Sequence, residues 1–250
     1  MQDLSDKTIL ITGASRGIGL SAAKRCADLG GEVLIHASSE SDDLLRAAES
    51  LGLPPNKVLV EDLSQPNAGA SLFAKALAAS GRRLNSLVNN AGVYLPTPIN
   101  DDDAWGANWQ RTFAINVSAL ADLSRAAVQH FTELGGGRIV NIASRAGQRG
   151  DGPDHAAYAA SKGAVLAFTK SMARAVAEDG ILMYAIAPGW VATRMAPADI
   201  ENRKRAAADI PLGRVADPSE VANLIGYLLT DGCPSATGAT FDVNGASYVR

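Results

Sequence analysis

Residues 8–19 read TILITGASRGIG, a short apolar run followed by a glycine-rich turn and the start of an alanine-rich segment. The apolar run predicts a buried strand, and the alanine-rich segment predicts a helix. Because Gly13, Gly17 and Gly19 carry no side chains, the backbone can approach a ligand, and the helix N-terminus favours a pyrophosphate. The spacing G-x-x-x-G-x-G differs from the general dinucleotide fingerprint G-x-G-x-x-G. Taken alone, the motif indicates either a dinucleotide site or glycines that serve only a tight turn.

Strand-like and helix-like segments alternate along the rest of the chain. Continuous apolar runs are typical of parallel strands that are covered on both faces. The predicted strands are Thr8–Thr12, Glu32–Ala37, Lys57–Glu61, Ser86–Asn89, Arg138–Ala143, Leu182–Ala187 and Thr240–Val243. The predicted helices are Gly19–Leu29, Asp42–Leu51, Asn67–Ser80, Asn108–Glu133, Ala156–Glu178 and Pro218–Leu229. This alternation predicts an α/β fold, a Rossmann-type doubly wound sheet of seven mostly parallel strands with helices on both faces.

The sequence contains no recognisable linker or internal repeat, so residues 1–250 are predicted to form a single domain. Three stretches are predicted to be irregular: Tyr94–Gly106, Gly147–Asp154 and Thr193–Pro211. Ligands of open α/β sheets bind beyond the carboxyl ends of the strands, where such loops gather. The stretch at about 193–211 is therefore the predicted substrate loop.

Composition narrows the class of protein. Hydrophobic residues make up 47% and charged residues 20% of the chain, which is typical of a globular protein, and the net charge of -3 argues against nucleic-acid binding. Cys26 and Cys233 lie far apart without CxxC spacing, and the three histidines are dispersed, so neither a disulfide nor a metal site is expected. No signal peptide or membrane-spanning run is visible, so the expected location is the cytoplasm.

The end of the second predicted strand bears on the choice of nicotinamide cofactor. A carboxylate at this position binds the ribose 2′-hydroxyl of NAD and repels a 2′-phosphate. The strand EVLIHA runs instead toward Ser38 and Ser39, and Arg16 in the glycine turn suits a phosphate. We therefore predict NADP(H). NAD(H) is the alternative because Glu40 and Asp42 are close by, and Arg16 is otherwise a solvated loop cation.

A second group of residues suggests acid–base chemistry. Tyr158 and Lys162 are four residues apart in HAAYAASKGAVLAF, so in a helix both side chains lie on one face. An ammonium group beside a phenol favours the phenolate, so Lys162 is expected to lower the pKa of Tyr158. Ser144 follows the strand RIVNIA and is placed to donate a hydrogen bond to a substrate carbonyl. The alternative for Tyr158 and Lys162 is a pair on the helix surface, and the alternative for Ser144 is a serine that caps a turn.

With these residues in place, the chain resembles the classical subfamily of the short-chain dehydrogenases/reductases over essentially its whole length. TGASRGIG at 12–19 is similar to the cofactor turn of the family, which accounts for the unusual glycine spacing. NNAG at 89–92 is similar to a motif that lines the adenosine side, and Asp62 stands where the family contacts adenine. PGWVATRM at 188–195 resembles the segment whose backbone and threonine, here Thr193, touch the nicotinamide carboxamide.

The resemblance implies a set of site residues and a mechanism. The implied catalytic residues are Asn116, Ser144, Tyr158 and Lys162. The implied cofactor-binding residues are Gly13, Ser15, Arg16, Gly17, Ile18, Gly19, Ser38, Ser39, Asp62, Leu63, Asn90, Ala91, Gly92, Tyr158, Lys162, Pro188, Gly189, Val191 and Thr193. In the implied mechanism Ser144 polarises a carbonyl oxygen, Tyr158 delivers the proton, Lys162 also binds the ribose, and Asn116 links the site to water.

The substrate is less well defined than the chemistry. The overall pattern is most similar to that of 3-oxoacyl-[acyl-carrier-protein] reductases. However, Glu133, Glu178 and Asp179 lie where a basic surface for the acidic carrier protein is expected, which leaves the carrier protein open as a partner. Four aromatic residues are candidates for an apolar pocket, with core packing or a subunit contact as the alternative: Tyr94, Trp105, Trp109 and Trp190.

Three functional hypotheses follow. The first is an NADP(H)-dependent reductase of ketones or 3-oxoacyl thioesters. The second is an NAD-dependent alcohol, sugar or hydroxysteroid-type dehydrogenase, and the third is a non-catalytic dinucleotide-binding regulator. The resemblance also implies a homotetramer, or a homodimer, that forms through the helices predicted at Asn108–Glu133 and Ala156–Glu178.

Overall fold

The computed structural model describes residues 3–194 and 207–250, and within these ranges seven parallel strands form one sheet. The strand order is β3-β2-β1-β4-β5-β6-β7. The strands are β1 Thr8–Ile11, β2 Glu32–Ala37, β3 Val58–Val60, β4 Ser86–Asn89, β5 Gly137–Ile142, β6 Ile181–Pro188 and β7 Thr240–Val243. The helices are α1 Gly17–Asp28, α2 Asp42–Ser50, α3 Ala68–Ala79, α4 Asp102–Phe113, α5 Ala119–Leu134, α6 Ala146–Arg149, α7 Ala156–Val176 and α8 Pro218–Leu229. The prediction of a doubly wound α/β sheet is confirmed.

Apolar side chains cover both faces of the sheet, as the continuous hydrophobic runs predict. Successive residues of a strand point to opposite faces. Accordingly, Ile9 and Ile11 of β1 belong to the core shared with α1 and α8, whereas Leu10 belongs to the core shared with α3 and α5. All eight residues of β6 are buried. The sheet is therefore the rigid middle layer on which the loops at the strand ends are mounted.

The direction of winding reverses at β1. This strand pairs with β2 on one side, with Thr8 opposite Glu32, and with β4 on the other, with Ile9 opposite Ser86. The chain leaves β1 and β4 in opposite directions and opens a crevice beyond their carboxyl ends, which is where ligands bind in sheets of this kind. The glycine turn after β1 lies at this crevice.

The main difference from the predicted elements concerns the helix that was expected to begin at Asn108. In the structure α4 begins at Asp102, because Asp101 caps it by accepting a hydrogen bond of 2.9 Å from the backbone N–H of Ala104. The predicted irregular stretch Tyr94–Gly106 is therefore shorter than expected. A π-helical segment, Ala114–Ser118, joins α4 to α5. The stretch predicted to be irregular at Gly147–Asp154 includes most of α6.

Three further features concern membrane-spanning helices, metal-binding groups and cysteines. None of the helices in residues 3–194 and 207–250 is long and apolar enough to cross a membrane. The same residues hold no group of three or more histidine, cysteine or acidic side chains that could bind a metal ion. Cys26 is a buried free thiol and Cys233 is an exposed one.

Candidate active site

The turn between β1 and α1 requires glycine for steric reasons. Gly13 and Gly17 have φ values of +64° and +57°, in the left-handed region that favours glycine. A Cβ atom on Gly13 would lie 2.9 Å from the Cα of Ala91, and one on Gly19 would collide with the Gly13 carbonyl oxygen. The Asn90 side chain donates hydrogen bonds to the Thr12 and Gly13 carbonyls at 2.8 and 3.0 Å. The turn thus presents bare backbone at the start of α1, which fits a dinucleotide pyrophosphate.

His36 supports this turn, a role that the sequence analysis missed. Its Nδ1 accepts a hydrogen bond of 3.3 Å from the Gly13 N–H, and its Nε2 donates one of 2.9 Å to the Glu61 carbonyl. The Ala14 N–H donates to the His36 carbonyl at 2.8 Å. Burial lowers the pKa of His36, so the ring is neutral and keeps Nδ1 as an acceptor. The signal in the sequence was a histidine inside an otherwise apolar strand.

The tip of β2 carries the group of charges that bears on cofactor choice. Ser38 and Ser39 are exposed there, with no acid between them and the strand. Asp43, in the first turn of α2, lines the same cleft and accepts hydrogen bonds from Arg16 at 3.3 Å and Arg194 at 3.3 Å. Arg46 also donates to Asp43, at 2.7 Å, and is the main reason why the pKa of this carboxyl is lowered. The acid near this tip is therefore Asp43, whereas the sequence analysis had weighed Glu40 and Asp42.

Ser144, Tyr158 and Lys162 meet beyond the carboxyl end of β5. Ser144 is buried two residues after this strand, and its Oγ accepts a hydrogen bond of 3.1 Å from the Ala146 N–H. The Lys162 ammonium, 4% exposed, donates to the Ile142 carbonyl at 2.8 Å and lies 5.8 Å from the centre of the Tyr158 ring. The three side chains that were predicted from separate motifs therefore line one cleft.

The expected direction of the pKa shift of Tyr158 is wrong. Burial raises the pKa of Tyr158 to about 12, and a hydrogen bond with Ser144 opposes this only in part. Burial also lowers the pKa of Lys162 to about 8. The reason is that loss of water disfavours the charged form of both groups, the phenolate as well as the ammonium. At neutral pH Tyr158 is therefore a protonated phenol, the form that can donate a proton.

Asn116 lies in the π-helical segment behind this cleft and does not line it. Its Oδ1 accepts a hydrogen bond of 2.8 Å from the Val93 N–H, and its Nδ2 donates to the Val93 carbonyl and to Ser161 Oγ, each at 3.0 Å. Ser161 in turn donates to the Tyr158 carbonyl at 2.7 Å. Both amide N–H groups of Asn116 thus have protein acceptors, which leaves one lone pair of Oδ1 for a further donor such as water.

The cleft has a volume of about 710 Å³ and runs from the β2 tip to the tyrosine. Seventeen of the residues predicted to bind cofactor or substrate at this edge are brought together with Ser144 and Tyr158: Gly13, Ser15, Arg16, Gly17, Ile18, Ser38, Ser39, Asp62, Leu63, Asn90, Ala91, Gly92, Lys162, Pro188, Gly189, Val191 and Thr193. Gly19 and Asn116 lie behind the surface of the cleft. Their places there follow from close packing against the turn and from the Val93 contacts, respectively.

Aromatic residues form a wall of the cleft beside Tyr158. The Tyr94 ring stacks on His155 at 3.8 Å and meets Tyr158 edge-on at 4.7 Å, with Trp190 also nearby at 6.2 Å. Trp105 and Trp109 do not line the cleft, because they stack along α4 with Phe113. Of the predicted substrate loop at 193–211, residues 195–206 lie outside the described part of the chain.

A parallel sheet with a glycine turn at its switch point and a serine, a tyrosine and a lysine at the facing end defines a class: the dinucleotide-dependent oxidoreductases. A family model described as enoyl-(acyl carrier protein) reductase matches residues 13–246. The chain belongs to this family, within the short-chain dehydrogenases/reductases, and it is an oxidoreductase that acts between alcohol and carbonyl groups.

Individual relatives are similar over nearly the full length. The chain is 34% identical to the 3-oxoacyl-[acyl-carrier-protein] reductase of Vibrio cholerae over 251 residues, which are 99% of both proteins. It is also 34% identical to the cis-4-hydroxycyclohexanecarboxylate dehydrogenase of Sinomonas cyclohexanicum, over 96% of both. The crystal structure of a putative gluconate dehydrogenase from Agrobacterium tumefaciens superimposes with a TM-score of 0.89 at 27% identity, covering 99% of this chain and 98% of that one.

Proposed function

We propose that the chain is an NADP(H)-dependent reductase that converts a ketone, or a 3-oxoacyl thioester, to the corresponding secondary alcohol. The observation that carries the proposal is the protonated Tyr158 phenol, its pKa raised to about 12, in one cleft with Ser144 and the buried Lys162. A proton donor of this kind suits reduction, because the alkoxide that forms from a carbonyl must be protonated.

The residues divide the work as follows. When bound, the nicotinamide cofactor supplies the hydride, which forms the new C–H bond at the carbonyl carbon. Ser144 donates a hydrogen bond to the carbonyl oxygen and stabilises the negative charge that develops there. Tyr158 gives its hydroxyl proton to that oxygen, and Lys162 stabilises the resulting phenolate and binds the ribose hydroxyls. Asn116 positions α7 through Ser161 and offers Oδ1 to a water that returns the proton.

NADP(H) is the proposed cofactor because Arg16 and Arg194 stand at the β2 tip beside the two exposed serines, Ser38 and Ser39. Guanidinium groups and hydroxyl groups are suitable partners for a 2′-phosphate. Asp43 works against this choice, since its carboxylate occupies both arginines and repels a phosphate.

The second candidate is an NAD-dependent dehydrogenase, and Asp43 is the observation that favours it. A carboxylate at the β2 tip accepts hydrogen bonds from the ribose hydroxyls of NAD. Two of the similar proteins carry the word dehydrogenase in their names, for cis-4-hydroxycyclohexanecarboxylate and for gluconate.

We also propose that the protein is located in the cytoplasm and that it forms a homotetramer. The interfaces would form through α5 and α7, and light scattering of the purified protein measures the state directly. Acyl carrier protein stays open as a partner. Three acidic residues lie where a basic surface for this partner is expected. Glu133 forms an ion pair of 3.5 Å with Arg82, while Glu178 and Asp179 are exposed.

The test begins with titrations of the protein with NADPH and with NADH, which are monitored by nicotinamide fluorescence. A panel of ketones and 3-oxoacyl thioesters is then tested for reduction. Tighter binding of NADPH with turnover of a ketone is the expected result. Tighter binding of NADH, with oxidation of alcohols, would replace the first candidate by the second. Normal dinucleotide binding without turnover of any carbonyl or alcohol would leave the non-catalytic regulator.

A further inference from the structure

Arg145, the residue after Ser144, is a buried cation that forms no ion pair within the described part of the chain. It is 7% exposed, and its Nη1 atom is enclosed without a hydrogen-bond acceptor. Within residues 3–194 and 207–250 no carboxylate forms an ion pair with it, whereas Arg16 and Arg194 in the same cleft both pair with Asp43. An enclosed guanidinium without an acceptor is unfavourable. Burial accordingly lowers the pKa of Arg145.

The position of Arg145 is fixed at the substrate end of the cleft. Its backbone N–H donates a hydrogen bond of 3.0 Å to the Pro188 carbonyl, which ties the residue between the carboxyl ends of β5 and β6. Its side chain lines the cleft together with Tyr94 and Trp190, and it lies close enough to Tyr94, Arg149 and Asp151 to interact with their charges. A ligand group that reaches Arg145 therefore belongs to the substrate, whereas the adenosine half of a dinucleotide lies at the other end.

We propose that Arg145 binds a carboxylate of the substrate, so that the substrates are oxo acids and the hydroxy acids formed from them. This inference rests on the proposed function, in which Ser144 and Tyr158 hold the reacting oxygen. A planar guanidinium matches a carboxylate with two parallel hydrogen bonds, and the match is strongest where water is excluded. The carboxylate satisfies the orphaned Nη1, and the ring wall of Tyr94 and Trp190 covers the carbon chain between the two ends.

Asp151 is the internal group that could compete for this place. It lies in the lining of the cleft and acts on Arg145 through its charge, and it adds to burial in raising the pKa of Tyr94. Asp151 is exposed, however, and it is not among the ion-paired carboxylates of the described residues. Asp209, which also acts on Arg145, is likewise exposed. Asp151→Asn is therefore expected to increase the preference for an anionic substrate, and a loss of that preference would show that Asp151 is itself part of the binding site.

The experiment compares oxo acids with their methyl esters, which differ in charge and little in shape. The probes are 4-oxopentanoate, 5-oxohexanoate and 4-oxocyclohexanecarboxylate, which vary the distance between the ketone and the carboxylate. The wild-type enzyme is expected to favour at least one acid over its ester by about tenfold or more in kcat/KM, as for a charged hydrogen bond. Equal kcat/KM for every acid and its ester would overturn the inference.

Variants assign the preference to the residue. Arg145→Gln is expected to lower the acid-to-ester ratio about tenfold or more, mainly through KM, and Arg145→Lys to restore part of it. The matched control is Arg149→Gln, which removes an exposed arginine four residues away and is expected to leave the ratio within about threefold of the wild-type value. A larger loss in Arg149→Gln than in Arg145→Gln would assign the anion to Arg149 and contradict the proposal.

A binding measurement separates this inference from the proposed function. Cyclohexanecarboxylate has no ketone, so its binding reports the anion site without turnover. Its dissociation constant is compared with that of cyclohexanecarboxamide, and both are measured by the quenching of bound NADPH fluorescence. This measurement on the wild-type protein also holds if Arg145→Gln does not fold. Reduction of esters as fast as acids, with no preference for the carboxylate inhibitor, removes the inference and leaves the reductase. Selective binding of the carboxylate without reduction of any ketone removes the reductase and leaves the site.

Discussion

The two ends of the cleft hold their charges in different ways. At the β2 tip the Asp43 carboxylate is shared by Arg16, Arg46 and Arg194, whose side chains are all more than half exposed. At the substrate end Lys162 and Arg145 are both buried. Lys162 donates to a single backbone carbonyl, and Nη1 of Arg145 has no acceptor among the described residues.

The exposed charges at the β2 tip can therefore change partners, whereas the buried cations at the substrate end are positioned to bind a ligand. Exposed ion pairs contribute about 0–1 kcal/mol, so the arginines at the β2 tip can exchange Asp43 for a phosphate at little cost. Buried cations without counter-ions are unfavourable in the free protein, and a ligand that supplies acceptors relieves that cost. We therefore expect cofactor preference to change with single surface substitutions, whereas the chemistry depends on a few buried side chains.

The largest expected effect is at Tyr158. Tyr158→Phe removes the proton donor and is expected to lower kcat about 1000-fold, while NADPH binding stays close to that of the wild type. Stopped-flow measurement of a single turnover gives the hydride-transfer rate directly. Tyr94→Phe is the matched control, because it removes a phenol that lies beside Asp151 rather than Ser144. An equal loss in the two variants would contradict the assignment of Tyr158 as the acid.

The next effect is at the glycine turn. In Gly19→Ala the added Cβ would collide with the Gly13 carbonyl and press on the Asn90 side chain. The expected cost is about 3 kcal/mol of unfolding free energy, with a parallel loss of cofactor affinity. Urea unfolding followed by circular dichroism measures the first, and fluorescence titration the second. Gly106→Ala in α4 has open space and is expected to stabilise the protein by about 0.5 kcal/mol, which controls for the added methyl group.

Lys162 carries a cost that depends on pH. Its pKa in the folded protein, about 8, lies below the ordinary 10.5, so between these values the unfolded chain binds more protons and stability rises with pH. The shift corresponds to about 3 kcal/mol at neutral pH, of which loss of the hydrogen bond to Ile142 offsets about 1 kcal/mol. Lys162→Met is therefore expected to be about 2 kcal/mol more stable than the wild type at pH 7, without cofactor. Urea unfolding at pH 7 and pH 10 checks that this advantage disappears with rising pH. An advantage of the same size at both pH values would show that folding does not lower the pKa of Lys162.

Much of the fold could be predicted because its signals are local. The apolar runs place all seven strands within about one residue at both ends, and the glycine spacing identifies the turn. The start of α4 was missed although Asp101 and two further acids in its first turn form a cap signal, because the surrounding stretch is polar. The strand end before Ser144 and the helical spacing of Tyr158 and Lys162 are local signals as well, and the family resemblance joined these three residues into one predicted site.

The features that could not be predicted depend on burial and on partners far along the chain. Asp43 is 27 residues from Arg16 and 151 residues from Arg194, so its place at the β2 tip appears only when the sheet is assembled. The lysine beside Tyr158 was visible in the sequence. The burial that reverses the expected direction of the pKa shift of Tyr158 was not. The sequence likewise indicates only a loop cation at Arg145, because its burial and the lack of an acceptor for Nη1 among the described residues depend on the folded structure.

The smallest predicted effect tests the adaptable end directly. Asp43→Asn removes the carboxylate that occupies Arg16 and Arg194, so both guanidinium groups become available to a 2′-phosphate. NADPH is expected to bind about fivefold more tightly, NADH about equally or more weakly, and the gain should shrink as salt is raised. The control is Asp42→Asn, which removes an exposed charge of the same sign on the adjacent residue, outside the cleft lining. A gain in NADPH affinity from Asp42→Asn as large as that from Asp43→Asn would mean that general charge, rather than release of the two arginines, sets the preference. Weaker NADPH binding in Asp43→Asn would instead indicate that Asp43 orients the arginines for the phosphate.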